Sequence, residues 1–396
     1  MSTSSLYFFI FGRNPKLSQA ELFSFLSSRS IDFTIHTSDD ECIILDIKGN
    51  MNSKRIAQFL AGTVKLGKIY ISSNKKENLL ELLHQENFYW EDTKTLNYAI
   101  SSYGNGIQEQ YFQDLFKKLF KEIKQKASLK KPNPSGLWNA LQRKDFMDLI
   151  VFKLKSTIFI GRTISAYNIK QNKKRYELRP HVEETISSSV RFSRILINLS
   201  QKTGGKLLDP FCGIGTVLQE AMLMGFNVVG SELQQDRVAH CKQNLEWIRT
   251  QYPTSKSNSN YKFKVIQSDV RKLNEKLPKN SIDTIVTEPE LGPFLKSIPS
   301  YNEAQSIIRS LEDIYLSTFR VADTLLKPGG TFIIVLPQIK ATNGKKIQPN
   351  IQSLTNSTQL ISISTLSNIE NVILFPIYYK ETWHRIGRLI YLFRKH

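Results

Sequence analysis

Apolar positions along this chain change rhythm several times. Over residues 1–70 short apolar runs at 6–11 and 42–47 predict strands, and helical spacing at 17–26 and 51–66 predicts helices. That mixture suits a small α+β domain. Over 71–165, residues 97–102 read as a strand, 111–123 as an amphipathic helix, 130–136 as a turn, and 148–154 and 157–164 as two more strands. A polar, basic connector at 168–180 precedes helical spacing at 190–199. From Lys206 onward the order becomes β-α-β, with strands predicted at 206–208, 227–230, 264–266, 284–286, 331–336, 372–378 and 388–393. Helical stretches separate the first five, as a parallel doubly wound sheet requires. The last two are close enough for an antiparallel hairpin, and residues 341–367, rich in Asn, Gln, Ser and Thr, predict little helix.

The 396 residues, 40% of them hydrophobic, leave room for two or three domains with real cores. No apolar run has the length of a membrane span, and the N-terminus lacks the basic start and apolar core of a signal peptide. Cys42, Cys212 and Cys241 have no paired spacing, and the six histidines have no ligand spacing, so neither disulfides nor a metal are expected. These features predict a cytoplasmic protein. Charge changes the picture more. The formal net charge is +19, and residues 101–200 alone hold 19 basic against 8 acidic side chains. Such a surplus is the electrostatic footprint of a polyanion partner.

The segment Asp209-Pro210-Phe211-Cys212-Gly213-Ile214-Gly215-Thr216 joins an apolar strand to an apolar-periodic helix. Its glycines let the main chain approach a ligand, and the helix start offers unpaired N–H groups. A carboxylate at the strand end suits a cationic or hydroxyl-rich ligand better than a pyrophosphate, which favours S-adenosylmethionine (SAM) over a dinucleotide. Asp209, Pro210, Cys212, Gly213, Gly215 and Thr216 are therefore expected around its methionine end. Glu232, after the next strand, is placed to accept from both ribose hydroxyls, and Leu233 to pack on adenine. Asp269, one strand further, is placed to accept from the adenine amino group, with the Val270 N–H donating to a ring nitrogen, unless Asp269 only caps the next helix.

This ordered set resembles the class I SAM-dependent methyltransferases over about half the chain, including Lys327-Pro328-Gly329-Gly330 before the fifth strand. The resemblance implies a Rossmann-like domain, a mostly parallel seven-stranded sheet closed by an antiparallel hairpin. Asp209 to Thr216 looks like the version found in amino-group methyltransferases acting on nucleic acids. Those enzymes carry (Asp/Asn/Ser)-Pro-Pro-(Tyr/Phe) after the fourth strand, where this chain has Thr287-Glu288-Pro289-Glu290-Leu291-Gly292-Pro293. An exocyclic amine on a purine is a poor nucleophile, so an oxygen acceptor must orient its N–H bonds. Glu288 takes that catalytic position beside Pro289, with Glu288 also near the cofactor and Glu290 either reading a base edge or facing away. The chain departs from the pattern: Glu288 is one methylene longer, Glu290 replaces a proline, and the nearest aromatic is Phe294. The alternative is that both glutamates only cap a following helix.

Upstream, residues 7–22 look like the N-terminal ferredoxin-like domain of THUMP-domain tRNA methyltransferases, with residues 71–165 at the THUMP position. The segment 173–181, containing Arg179-Pro180, resembles that family's approach to its catalytic domain. The guanine-N2 type that modifies position ten of tRNA is the nearest in pattern. The resemblance implies a ferredoxin-like domain at 1–70, a THUMP-like RNA-binding domain at 71–165, a linker at 166–189 and a methyltransferase domain at 190–396. It implies tRNA as partner, gripped at the acceptor end, with a flipped guanine as substrate. Candidate RNA contacts are Lys130, Lys131, Asn139, Arg143, Lys144 and Arg179, together with Lys117, Lys118, Lys121 and Lys124 on one helix, unless that run is only a solvated face. A monomer is expected, and the need for a small activating subunit stays open. Two other readings stand beside this one: a DNA adenine-N6 or cytosine-N4 methyltransferase, and a SAM- and RNA-binding protein whose chemistry has decayed at Glu288 and Glu290.

Overall fold

The computed structural model describes residues 4–49, 51–86, 93–183, 189–252, 262–366, 373–381 and 384–396. The chain divides into two compact units, Met1–Ser18 with Ser30–Gln171, and Gln19–Arg29 with Asn172–His396. No helix among the described residues is long and apolar enough to cross a membrane.

The first unit is built on one eight-stranded sheet. Its strands are β1 (Ser4–Phe11), β2 (Phe33–Ser38), β3 (Cys42–Lys48), β4 (Thr63–Ser73), β5 (Leu96–Tyr103), β6 (Ala127–Leu129), β7 (Phe146–Leu154) and β8 (Thr157–Ala166), in the order β2-β3-β1-β4-β8-β7-β5-β6. The helix expected at 51–66 is shorter, Ser53–Phe59, because Leu60 turns extended and β-branched Thr63 and Val64 begin β4. That strand pairs with β1 on one side and β8 on the other. The boundary expected after residue 70 therefore falls inside a strand, and segments 1–70 and 71–165 share a sheet. The amphipathic helix Glu109–Glu122 buries Phe112, Leu115, Phe116, Leu119 and Phe120 in the core of this unit.

The second unit carries β9 (Gly205–Asp209), β10 (Phe226–Glu232), β11 (Phe263–Gln267), β12 (Ile282–Thr287), β13 (Leu326–Lys340), β14 (Lys346–Ile347), β15 (Leu360–Ser362), β16 (Ile377–Tyr379) and β17 (Gly387–Lys395). Its main order is β11-β10-β9-β12-β13-β17-β15, parallel from β11 to β13, with β17 antiparallel to β13. This is the doubly wound arrangement expected of a Rossmann-like domain. Phe319, Phe332 and Phe393 meet in its core, with ring centroids 5.1–5.9 Å apart.

Three details differ from the sequence reading. The connector contains a helix, Ile169–Glu177, since Arg175 buries its head instead of solvating it. Between β11 and β12 there is a 3-10 helix, Val270–Glu275, not a full α-helix. The closing hairpin is divided: β16 pairs with residues 388–390 of β17, whereas β15, from the segment expected to be irregular, pairs with 393–395. Residues 367–372 lie outside the described residues, and with them the predicted strand start at 372.

The connector helix is fixed by charge. Arg175 Nη2 lies 2.9 Å and Arg194 Nε 2.7 Å from Glu220 Oε2, and Glu220 is 1% exposed. Removing one partner of a buried ionic group costs about 3–5 kcal/mol. Glu220→Gln should lower the unfolding free energy by about that amount in denaturant titration, and an unchanged midpoint would show the triad to be dispensable.

Candidate active site

Four neighbouring parallel strands end in the same short space of sequence-distant residues: Asp209 on β9, Glu232 on β10, Asp269 just past β11 and Glu288 just past β12. The C-terminal edge of such a sheet is where ligands of doubly wound folds bind.

The turn after β9 is built by its glycines. Gly213 (φ +52°) and Gly215 (φ +90°) adopt left-handed conformations, and Gly215 precedes the helix Thr216–Leu223. A Cβ on Gly215 would stand 2.7 Å from Cys241 Sγ, whereas one on Gly213 would meet nothing within 4 Å. Gly215 is thus required by packing, and Gly213 presents backbone to open space. Glu232 joins this turn to its own: Oε2 accepts from the Gly213 N–H at 3.1 Å, and Oε1 accepts from the N–H groups of Leu233 and Gln234 at 2.8 and 3.0 Å. Leu233 is 62% exposed beside it. An open glycine backbone, a preorganised carboxylate and an exposed apolar side chain are a donor set that fits a nucleoside carrying a cationic tail.

Asp209 lies beneath this surface. It is 2% exposed, and its Oδ1 accepts from Thr287 Oγ1 at 2.7 Å and from the Phe211 N–H at 3.1 Å. Burial raises its carboxyl to about 7, opposed by those two hydrogen bonds and assisted by the charges of Glu232 and Glu288. Pro210, Cys212 and Thr216 are buried with it, and Cys212 Sγ sits 3.9 Å from Cys241 Sγ. These residues shape the turn from below.

Asp269 caps the 3-10 helix by accepting from the Arg271 N–H at 2.9 Å, and its two oxygens also take Arg271 Nε and Nη2 at 3.0 and 2.7 Å. The Arg271 contact holds the Asp269 carboxyl below its ordinary value. The Val270 side chain belongs to the hydrophobic core.

Glu288 does not cap a helix, and neither does Glu290. The next helix, Tyr301–Ser310, starts thirteen residues on with its own capping box of Ser300 and Glu303. Instead, Glu288 Oε1 accepts from Arg388 Nε on β17, with both side chains largely buried (13% and 12% exposed). Pro289 is buried, Glu290 is exposed, and the Glu290 carbonyl accepts from Tyr315 Oη at 2.6 Å. Phe294 is 75% exposed. Arg388, one hundred residues from Glu288, and Arg271 are the site residues that the sequence reading missed. Neither lies in a local motif.

A family model described as DNA methylase (N6_N4_Mtase) matches residues 10–243, more than half of the chain. The chain belongs to that methylase family. A second model, described as RMKL-like, methyltransferase domain, matches residues 181–343 and so spans both the glycine turn and the Glu288 segment. A tRNA (guanine(10)-N2)-dimethyltransferase of Methanothermobacter thermautotrophicus is 27% identical over 289 residues, covering 70% of this chain and 75% of the relative. A protein of the same name from Pyrococcus abyssi is 30% identical over 158 residues, 40% of this chain and 44% of the relative. A probable tRNA (guanine(10)-N2)-dimethyltransferase of Methanothermococcus thermolithotrophicus is 31% identical over 126 residues, 31% of this chain and 72% of the relative. Among solved structures, a possible methylase from Clostridium difficile 630 matches with TM-score 0.50 and 12% identity over 98% of both chains. SMU.472, solved in complex with SAH, matches with TM-score 0.50 and 12% identity over 100% of this chain and 99% of its own. At that identity the two structures show the shared fold.

In this methylase the expected nucleic-acid contacts divide. Lys130, Lys131, Asn139, Arg143 and Lys144 are all exposed, though Arg143 pairs with Asp145 through Nε and Nη2 at 2.9 and 2.6 Å. Lys117, Lys118 and Lys121 line the exposed side of their helix, where Lys117 pairs with Asp114 and Lys118 with Glu122. Lys124 lies beyond the helix end at φ +56° and does not continue that row. Arg179 is a correction. Only 3% exposed, it donates through Nη1 to Thr216 Oγ1 at 2.9 Å and stacks 4.2 Å from the Tyr176 ring, so it braces the glycine turn from inside.

The Asp209 environment makes a pH prediction. Its folded value of about 7 lies above the ordinary unfolded value of about 3.9, so the folded state holds the proton longer. The stability linked to that proton is fully present below about pH 4 and is lost as pH rises through about 7, amounting to about 4 kcal/mol at most. Asp209→Asn keeps an oxygen acceptor without the charge. Its unfolding free energy relative to the native protein should rise between pH 5 and pH 8, and parallel profiles would refute a buried, titrating Asp209.

Proposed function

We propose that the chain methylates the exocyclic N2 amine of guanine in tRNA, using SAM, and that its catalytic edge is formed by Glu232, Asp269 and Glu288 around the glycine turn. The carrying observation is the set of acidic strand ends beside an open Gly213 backbone, in a chain whose relatives are named for this reaction. Glu232 offers its carboxylate to a ribose diol, exposed Leu233 offers a surface to an adenine face, and Asp269 offers an acceptor to its amino group. When bound, SAM supplies an electrophilic methyl group on a sulfonium.

The remaining work belongs to this chain. The Glu288 carboxylate accepts an N–H of the guanine amine and fixes the direction of its lone pair, which is worth several powers of ten when geometry is held. Arg388 holds that carboxylate in place through its Nε. No strongly basic group is required, because the methylated amine passes its proton to water. Asp209 acts from below, joining the two sides of the edge through Thr287.

The topology β1-helix-β2-β3-helix-β4, with sheet order β2-β3-β1-β4, supports the ferredoxin-like reading of the N-terminal segment. The following α+β segment with exposed Lys130, Lys131 and Lys144 supports a THUMP-like RNA-binding role. A monomer acting in the cytoplasm completes the proposal. The description of the matching family favours DNA as the substrate of a second reading.

Labelled-methyl transfer with unmodified tRNA and duplex DNA in competition separates these readings. Label in tRNA is expected; label in DNA alone would favour the second reading, and none in either, despite SAH binding, would indicate decayed chemistry. Glu288→Gln should leave SAH affinity by calorimetry unchanged and lower methyl transfer at least about a hundredfold. A fall in SAH affinity with unaltered transfer at saturation would move Glu288 from the amine to the cofactor.

A further inference from the structure

Arg388 holds more than its partner needs. It is the second residue of β17, opposite Pro337 of β13, so it stands at the same sheet edge as Glu288. Its Nε serves Glu288, but its Nη1 is buried with no hydrogen-bond partner among the described residues. The guanidinium lies 6.0 Å from the rings of Phe192 and Tyr379, which stack on one another at 4.6 Å and 16°. The spare cationic donor thus lies beside an aromatic pair as well as a carboxylate. A buried donor left without an acceptor is costly, and its cost is relieved when a ligand supplies one.

We propose that Arg388 is a specificity-determining residue that reads guanine O6 while Glu288 takes the donors beside it; the inference rests on the methyl-transfer reading above. Along its Watson–Crick edge guanine offers two adjacent donors, N2–H and N1–H, and then the O6 acceptor. A carboxylate flanked by a guanidinium is the complement of that order. Adenine and cytosine set a ring-nitrogen acceptor next to their amine, where it would face carboxylate oxygen lone pairs. The pairing explains how a site with glutamate in the acceptor position can favour guanine: Arg388 fixes the longer side chain and completes the reading.

The test compares tRNA bearing guanine with tRNA bearing 6-thioguanine at the target nucleotide, which keeps N1–H and N2–H but weakens the acceptor at position six. The native protein should prefer guanine by at least about tenfold in kcat/KM. Arg388→Met should lose most transfer to guanine and bring the preference close to one, with SAH affinity unchanged, and Arg388→Lys should restore part of the preference. Equal rates for both bases with the native protein would overturn the inference, whether or not the variants fold. So would a slow Arg388→Met that keeps its preference, since Arg388 would then only prop Glu288. Absence of N2 methylation on either tRNA would overturn the functional reading as well, whereas transfer without discrimination removes this inference alone.

Discussion

The hydrogen bond between Thr287 and the buried Asp209 carboxylate is the constraint on which the site depends. It joins the end of β12 to the end of β9, the two central strands of the sheet, immediately before the segments that carry Glu288 and the glycine turn. A carboxylate sealed from water is unfavourable unless it is neutralised or hydrogen-bonded, and here its oxygen takes two donors while burial favours the proton. The surface above it can therefore present Glu232 and Gly213 to a ligand in fixed geometry. The neighbouring acids are managed separately: Glu232 by backbone N–H groups, Asp269 by Arg271 and Glu288 by Arg388.

Several features of this arrangement are legible in residue order. The strand ends, glycine turn and helix start at 205–223 follow from apolar periodicity and from conformations that only glycine adopts cheaply. The same is true of helix Val190–Leu199, whose bounds coincide with the predicted ones. Long-range pairing is not legible. Arg388 reads as one basic residue at the start of a strand, and only the antiparallel insertion of β17 beside β13 brings it to Glu288. Arg179 reads as a surface cation next to a proline, and only packing against Thr216 and Tyr176 makes it internal. In the first unit, β4 is hidden because helix-compatible residues 53–59 run directly into it, and its two partners are distant in sequence.

Glu288 is where this chain departs most from the amino-methyltransferase pattern. A shorter acceptor can be held by its own backbone, whereas a glutamate has an extra torsion to freeze, and freezing it costs entropy. The ion pair with Arg388, largely removed from water, provides the missing restraint. On the proposed reading it also places a positive group beside the amine's acceptor, where one that met only Glu288 would be an expensive means of rigidity. On that reading, a distant strand supplies the restraint that the altered motif lacks.

Nucleoside mass spectrometry of tRNA incubated with the protein and SAM tests the central claim most directly. N2-methylated guanosine should accumulate with time and be absent when the protein carries Glu288→Gln. Unchanged guanosine, in a preparation that demonstrably binds SAH, would contradict the assignment of this acidic edge to methyl transfer.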